Sequence, residues 1–308
     1  LILFLIAILS YKLNLVDLPN KRKMHLIPTA YTGGLAISFA YLCSLQLFDT
    51  TGKDLNLILS MAFLIAIIGF IDDRYQLNFG GKLSLQVIPI FYLIVISNFQ
   101  LNDIGNYSYF ILDLGAFAIP FSILSVLLLT NAFNYFDGID GTLSITSISV
   151  ISILYFLASN YEIKFFLLLI LIPLIIFLIF NFGLFKTPKL FLGDGGSLLI
   201  GFIISFSLIY FSNNKIAHPI LLAWSVSIFV YEFLSINLIR LKNKKNPFKP
   251  SKDHLHHVLF KKFNSIFLTN SIMFFINIIL FLIGFMSFEI FSPLISLILF
   301  ITSFFIFL

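Results

Sequence analysis

Apolar runs long enough to cross a lipid bilayer cover most of this 308-residue chain. Hydrophobic residues make up 59% of it and charged residues only 11%, a balance that the surface of a water-soluble domain does not tolerate. A helix needs about 20 apolar residues to span a bilayer. Runs of this kind lie at 32–48, 55–71, 82–97, 116–134, 141–159, 165–182, 195–211, 218–239, 266–287 and 289–308.

Residues 1–10 have the character of one further apolar helix, and we expect its beginning to be missing. The chain is therefore predicted to be an all-α polytopic membrane protein with about ten to eleven transmembrane helices. The longest hydrophilic segment is the basic loop 240–264, so we expect residues 1–308 to form a single membrane domain.

The basic residues separate the two sides of the membrane. When eleven spans alternate in direction, 16 of the 19 Lys and Arg residues fall on one side, and the other side receives Lys53, Lys164 and Lys215. The positive-inside rule places the basic side, together with the C-terminus, in the cytoplasm.

Two adjacent carboxylates, Asp72 and Asp73, follow the span 55–71 in the segment FIDDRYQLN. At a membrane boundary, low dielectric and mutual repulsion make such a pair hard to ionise without a nearby cation. The pair suits Mg²⁺ chelation or proton abstraction. A solvated helix end is the alternative.

The segment NAFNYFDGIDG places a polar residue at every third position: Asn131, Asn134, Asp137 and Asp140. If the helix continues, the first three share one face, and the two glycines of the segment allow a turn or close approach to a ligand. We expect a pocket that takes a base and phosphates. A helix cap followed by a turn would require only one of these side chains.

In the segment FLGDGGS, Asp194 lies where a new span begins. Free backbone N–H groups and the helix dipole favour phosphate at such a point, and a carboxylate there can hold a counter-cation. The alternative is an N-cap, but the following Gly195 and Gly196 favour close approach by a ligand.

The segment DHLHHVLF carries His254, His256 and His257. Three imidazoles are compatible with metal ligation, proton transfer or phosphate binding. The surrounding lysines, Lys249, Lys252, Lys261 and Lys262, favour an electropositive clamp for phosphate. A fifth polar segment, at 17–37, contains His25 within DLPNKRKMH and also the glycine pair Gly33 and Gly34. All five segments fall on the basic side, so we expect the active site at the cytoplasmic membrane surface.

These five segments, in this order, resemble those of the polyprenyl-phosphate N-acetylhexosamine-1-phosphate transferases, which form glycosyltransferase family 4. DLPNKRKMH, GFIDDRYQL with the following Lys82 and Gln86, NAFNYFDGIDG, FLGDGGS and HLHH carry the resemblance. The sequence NPFKP before HLHH is similar to the WecA-like branch. The related MraY-type phospho-N-acetylmuramoyl-pentapeptide transferases have three consecutive histidines instead.

The resemblance implies transfer of N-acetylhexosamine 1-phosphate from a UDP-sugar, UDP-GlcNAc or a relative, to undecaprenyl phosphate, with release of UMP. The product would be the lipid-linked first sugar of a cell-envelope polysaccharide such as lipopolysaccharide O-antigen. It further implies Mg²⁺ as cofactor, with Mn²⁺ as a substitute, and a bacterial inner membrane location. The expected partners are both substrates, the lipid bilayer and a second copy of the chain in a homodimer, and no nucleic acid.

The resemblance also suggests a role for each polar residue. Asp194 is the expected chief Mg²⁺ ligand, with Asp137 as a second. Asp72 is expected to deprotonate or orient the lipid phosphate, with Asp73 beside it. The expected substrate-binding residues are Lys82, Asn131, Asn134, Asp137, Asp140, His25, Lys252, His254, His256 and His257.

Two other functions stay open on the residues alone. A membrane prenyltransferase also uses aspartate-rich loops and Mg²⁺, but it does not explain FLGDGGS or HLHH. A secondary transporter could use Glu232, which lies inside a predicted span, as an ion site.

Overall fold

The structure is a computed structural model that describes residues 1–19, 27–47, 52–246 and 253–308. In these ranges the chain forms thirteen α-helices, in this order: α1 Ile2–Lys12, α2 Gly33–Leu47, α3 Lys53–Tyr75, α4 Phe79–Phe91, α5 Ala118–Tyr135, α6 Thr142–Leu157, α7 Tyr161–Asn181, α8 Gly193–Asn213, α9 Pro219–Ser225, α10 Ser227–Lys242, α11 Leu255–Phe263, α12 Ile266–Ile290 and α13 Pro293–Phe307. Single turns of π-helix, Tyr92–Ile96, and 3₁₀-helix, Gly115–Phe117 and Leu184–Lys186, adjoin α4, α5 and α7.

Six of the described helical segments are long and apolar enough to cross a membrane: Lys53–Tyr75, Phe79–Ile96, Gly115–Tyr135, Tyr161–Asn181, Gly193–Asn213 and Ile266–Ile290. The pair α9 and α10 adds a seventh if it is counted as one bent span. The all-α, polytopic prediction is thus confirmed. The shorter apolar helices α1, α2, α6 and α13 coincide with the other predicted spans, and the count of ten to eleven stays a prediction.

Two short antiparallel sheets occur in the described chain. Strand β1, Val16–Asp17, pairs with β2, Thr29–Ala30, and β3, Asp103–Asn106, pairs with β4, Ile111–Asp113. The first sheet adjoins the segment before α8, because Phe191 N donates to Ala30 O at 2.7 Å. This contact holds the loop before α2 against the start of α8.

Helix α8 is the central helix, and most of its residues are buried. Its first turn packs directly against backbone: a side chain at Gly34 of α2 would overlap Gly196, and one at Gly69 of α3 would overlap the backbone at Asp194 and Gly195. We expected Gly195 and Gly196 to admit a ligand, and that prediction is wrong. Their missing side chains let three helices approach closely instead.

The predicted span 218–239 is broken, because α9 and α10 meet at an angle of 72° around Val226. A break inside a membrane exposes backbone groups that need partners. Asn277 of α12 provides one, since its side-chain amide donates to Ser225 O at 3.0 Å and also to Ser149 Oγ at 2.8 Å. The bend leaves α10 as a separate helix that carries Glu232.

Candidate active site

Lys82 joins the ends of four helices in one polar cluster. Its ammonium nitrogen lies 2.8 Å from Asp72 Oδ2, at the end of α3, and 2.5 Å from Asp194 Oδ2, at the start of α8. It also donates to Asn134 Oδ1, at the end of α5, at 3.3 Å. Lys82 itself is in the first half of α4. The structure thus brings together four predicted site residues from three of the sequence segments.

Both carboxylate oxygens of Asp194 are hydrogen-bonded. Asn134 Nδ2 donates to Asp194 Oδ1 at 2.9 Å and to Ser197 Oγ at 2.7 Å, while Lys82 occupies Oδ2. The Asp194 side chain still has 34% of its surface exposed, compared with 10% for Asp72. Asp194 is therefore the carboxylate of this pair that a ligand can reach. Sequence reasoning missed Ser197, whose signal is its position three residues after Asp194, on the same helix face.

Asp73 does not face Lys82 but caps α8. Its two carboxylate oxygens accept hydrogen bonds from Asp194 N at 3.0 Å and Gly195 N at 3.3 Å. The preceding Gly193 has a φ of +72°, and a side chain there would also collide with Asp73. We expected free backbone N–H groups for a phosphate at this helix start. That expectation is wrong for these two groups, because Asp73 already binds them.

Helix α5 ends at Tyr135, so Asp137 and Asp140 lie in the following turn. The continued helix face that we had expected therefore does not form. Desolvation by the surrounding protein, and then the negative charges of Asp194 and Asp140, raise the pKa of Asp137, although its side chain is exposed on one side. A bound cation would reverse this repulsion. Asp137 is thus a carboxylate beside Asp194 that is suited to cation binding.

Asp140 has a different surrounding from Asp137. Lys189, from the segment before α8, lies 2.6 Å from Asp140 Oδ2, and Asn270 of α12 donates to Asp140 O at 2.9 Å. These contacts fix the turn 136–141 between α12 and the segment before α8. The sequence did not predict a role for Lys189 or Asn270, because each is an isolated polar residue there.

Asn131 lies one helical turn before Asn134 and is buried. Its side-chain amide donates to Gln86 Oε1 and to Leu127 O, both at 2.8 Å. Asn131 therefore connects α5 to α4, and both of these hydrogen bonds go to groups other than the carboxylates. Its predicted contact with substrate is untested.

The histidines pack against the turn that carries Asp137. A side chain at Gly138 would overlap His256 and approach His257 Nε2 to 2.9 Å. The ring of Tyr135 lies 5.4 Å from that of His254. The structure therefore brings the histidine segment and the carboxylate cluster to one site through the turn 136–141.

His256 is the most buried of the three histidines. It is fully buried, and neither ring nitrogen has a hydrogen-bond partner within the described residues. Burial, and then the charges of His257 and His254, lower the pKa of His256 well below its usual value. The ring of His256 packs against the turn 136–141, and its predicted contact with substrate stays a prediction. The predictions for His25 and Lys252 fall outside the described residues.

The donor set fits Mg²⁺ without forming a complete protein cage. In the described parts of the chain, no three His, Cys, Asp or Glu side chains are arranged to hold a metal ion by themselves. Magnesium usually takes one or two protein carboxylates and completes its shell with water and substrate phosphates. Asp194 and Asp137 provide carboxylates of this kind. The single positive charge of Lys82 does not balance the negative charges of these two residues together with those of Asp72 and Asp73.

Comparison with known proteins gives one consistent result. Residues 55–212 match the sequence model of the family described as glycosyl transferase family 4. The chain is similar to proteins named undecaprenyl-phosphate alpha-N-acetylglucosaminyl 1-phosphate transferase. It is 31% identical to that of Pasteurella multocida over 268 residues, 82% of this chain and 73% of the relative. For Yersinia pestis the identity is 28% over 84% of this chain and 73% of the relative, and for Salmonella typhi it is 27% over 84% and 72%.

The matched residues include the lysine and both carboxylates of the Lys82 cluster. The motif resemblance and the overall similarity agree, and this chain belongs to glycosyl transferase family 4.

Proposed function

We propose that this protein transfers N-acetylglucosamine 1-phosphate from UDP-N-acetylglucosamine to undecaprenyl phosphate and releases UMP. The relatives are named undecaprenyl-phosphate alpha-N-acetylglucosaminyl 1-phosphate transferases, and the UDP donor and the release of UMP follow from the motif resemblance. The observation that supports it most strongly is the Lys82 cluster, in which one ammonium joins Asp72 and Asp194 at the ends of membrane helices. A related UDP-N-acetylhexosamine is the alternative donor.

In this reaction an oxygen of the lipid phosphate attacks the phosphorus that bears the sugar. The new phosphorus–oxygen bond forms as the bond to UMP breaks, so one diphosphate replaces another. The difficulty is to bring two anions together beside the membrane. Lys82, held at 2.5 Å from Asp194 Oδ2, provides a fixed positive charge where negative charge accumulates.

Asp72 is the proposed residue that deprotonates or orients the lipid phosphate. Its Oδ1 accepts from Leu77 N at 2.8 Å and its Oδ2 lies 2.8 Å from Lys82, so both oxygens have fixed positions. A weak base is sufficient, because the second pKa of a phosphate monoester is about 6. Asp73 contributes by holding the start of α8, and hence Asp194, in place.

Asp194 and Asp137 are the proposed ligands of Mg²⁺, for which Mn²⁺ is a substitute. When bound, the metal neutralises charge on the donor diphosphate and stabilises the charge that develops on its oxygens. Asn134 then keeps Asp194 oriented through the 2.9 Å hydrogen bond to Oδ1.

The proposed membrane arrangement has ten or eleven spans with the active site on the cytoplasmic side of the bacterial inner membrane. The distribution of basic residues supports it. Arg74, Lys82 and Lys189 adjoin the site, whereas Lys53 begins α3 at its opposite end. A role in lipopolysaccharide O-antigen or another envelope polymer, and assembly as a homodimer, stay predictions.

The test is a direct assay of the protein in lipid nanodiscs with undecaprenyl phosphate and single UDP-sugars. We expect UMP release with UDP-N-acetylglucosamine and a lipid product heavier by one N-acetylglucosamine phosphate. Turnover of UDP-N-acetylmuramoyl-pentapeptide alone would support an MraY-type enzyme instead. Consumption of a prenyl diphosphate without any nucleotide would support a prenyltransferase. Ion-coupled substrate uptake by the protein in proteoliposomes, without either reaction, would support a transporter.

A further inference from the structure

Glu232 is a buried carboxylate on α10 that the proposed reaction does not use. Its surface is 2% exposed, and burial of a carboxylate is costly unless the group is paired and hydrogen-bonded. Its Oε1 atom accepts a hydrogen bond from Leu255 N at 3.0 Å and lies 3.1 Å from His254 Nδ1. Glu232 therefore connects α10 to the histidine segment, 22 residues further along the chain.

We propose that Glu232 is a positioning residue, which fixes the ring of His254 and the start of α11 against the active site. This inference rests on the proposed function only for its effect on turnover. It differs from the ion site that the transporter alternative suggested, because two groups of the protein itself bind Oε1, while Oε2 has no hydrogen-bond partner among the described residues.

The two hydrogen bonds have complementary effects. Because a carboxylate accepts hydrogen bonds, Nδ1 of His254 carries the proton and Nε2 is the ring atom left to contact a ligand. Leu255 is the first residue of α11, where backbone N–H groups have no partner inside the helix. The side chain of His254, the residue before the helix, makes no capping bond of its own. Glu232 therefore takes the place of the missing cap.

The position of α11 matters because its next residues contact the turn that carries Asp137. His256 and His257 lie against Gly138, and His256 Nδ1 is 4.0 Å from Glu232 Oε1. A shift of α11 would alter the packing of this turn beside Asp194. Glu232 thus acts on the site through His254 and through the turn, without contact with the reacting atoms.

Three variants separate positioning from a general effect on folding. Glu232→Leu removes both hydrogen bonds. Glu232→Gln keeps an acceptor oxygen for Leu255 N and His254 Nδ1. Glu289→Gln, at an exposed position on α12, is the control for loss of an acidic side chain.

In turnover assays we expect Glu232→Leu to lower kcat/KM by about 10- to 100-fold, the usual range for an outer carboxylate that orients a histidine. Glu232→Gln should recover most of this loss, and Glu289→Gln should match the wild type. Added to His254→Ala, Glu232→Leu should cause a smaller loss than in the wild type, because the bond to His254 is then already absent and only the bond to Leu255 N is lost. A full additional loss in the double variant would overturn the proposal.

Hydrogen–deuterium exchange tests the same inference without any assay of activity. The amides of residues 254–258 should exchange faster in Glu232→Leu than in the wild type and Glu232→Gln. Unchanged exchange in Glu232→Leu would overturn the proposed anchoring of α11. A wild type that anchors α11 in this way but releases no UMP would contradict the proposed function alone.

Discussion

The two halves of the site differ in how the protein holds their polar groups. In the carboxylate half, Asp72, Asp194 and Lys82 bind one another directly and are carried by membrane helices that contact through glycines. In the histidine half, an amphipathic helix outside the spans carries the rings, and one buried glutamate holds its start. The first half is fixed by contacts between membrane helices, whereas the second is held by contacts of α11 with Glu232, with the turn 136–141 and with the hydrophobic core.

This difference separates the expected roles of the two halves. Charged groups that are already in position can stabilise charge without reorganisation, which is the condition for strong electrostatic catalysis. The histidine helix lies outside the spans and acts on the site through its contacts with the turn 136–141. We therefore expect substitutions in the carboxylate half to affect turnover most and those in the histidine half to affect it less.

Removal of divalent metal should have the largest effect. If Asp194 and Asp137 bind Mg²⁺, treatment with EDTA should reduce UMP release below detection, because the donor diphosphate then meets several carboxylates without neutralisation. Addition of Mg²⁺ or Mn²⁺ should restore it, and Ca²⁺ is the control cation. Full UMP release in EDTA would contradict the assignment of both carboxylates.

Lys82→Met should have the second-largest effect, because it removes the ammonium that joins Asp72 and Asp194. We expect kcat to fall about 100- to 1,000-fold, the range for loss of one fixed electrostatic group. Ser84→Ala, on the exposed side of the same helix, should have wild-type kcat. If Lys82→Met loses less than threefold, the ammonium is not part of the catalytic electrostatics.

Gly34→Ala tests the helix contacts that fix this half. A methyl group there would overlap the backbone of Gly196, so we expect a loss of stability of about 1–3 kcal/mol, typical of overpacking. Thermal unfolding in detergent would measure it. The control is Gly80→Ala, because a methyl group at Gly80 has its nearest neighbour, Asn78 Oδ1, 3.7 Å away. Equal melting temperatures for the two variants would show that the contact is loose.

Lys189→Gln should have the smallest effect, because it weakens the junction between the halves and leaves both in place. Loss of the ion pair with Asp140 should lower kcat/KM by several-fold, since the free energy of a partly exposed pair is typically about 1 kcal/mol. The neighbouring exposed Lys186 supplies the control, Lys186→Gln. A larger loss than for Lys82→Met would reverse the order that the comparison predicts.

The sequence predicted the residues of the carboxylate half better than their individual contacts. Asp72, Asn134 and Asp194 were found because each lies at the end of an apolar span on the basic side, where polar residues are unexpected. The cap that Asp73 forms on α8 was missed, because a hydrogen bond across 121 residues leaves no local pattern. The same reason explains the missed pair of Lys189 and Asp140.

Two errors came from assuming that helices continue. The three-residue spacing predicted one face for Asn134 and Asp137, but α5 ends at Tyr135, between them. Hydropathy predicted a single span at 218–239, yet the chain bends at Val226, where there is neither proline nor glycine. Hydropathy measures how apolar a segment is, and it contains no information about the partner, Asn277, that satisfies the backbone at the bend.

The most direct test of the central claim is UMP release by Asp194→Asn, measured beside its melting temperature. Asparagine has nearly the same shape but no charge, so the account predicts a folded protein without detectable turnover. Asp54→Asn, at the opposite end of α3, should release UMP at the wild-type rate. Normal UMP release by Asp194→Asn would contradict the claim that the Lys82 cluster is the active site.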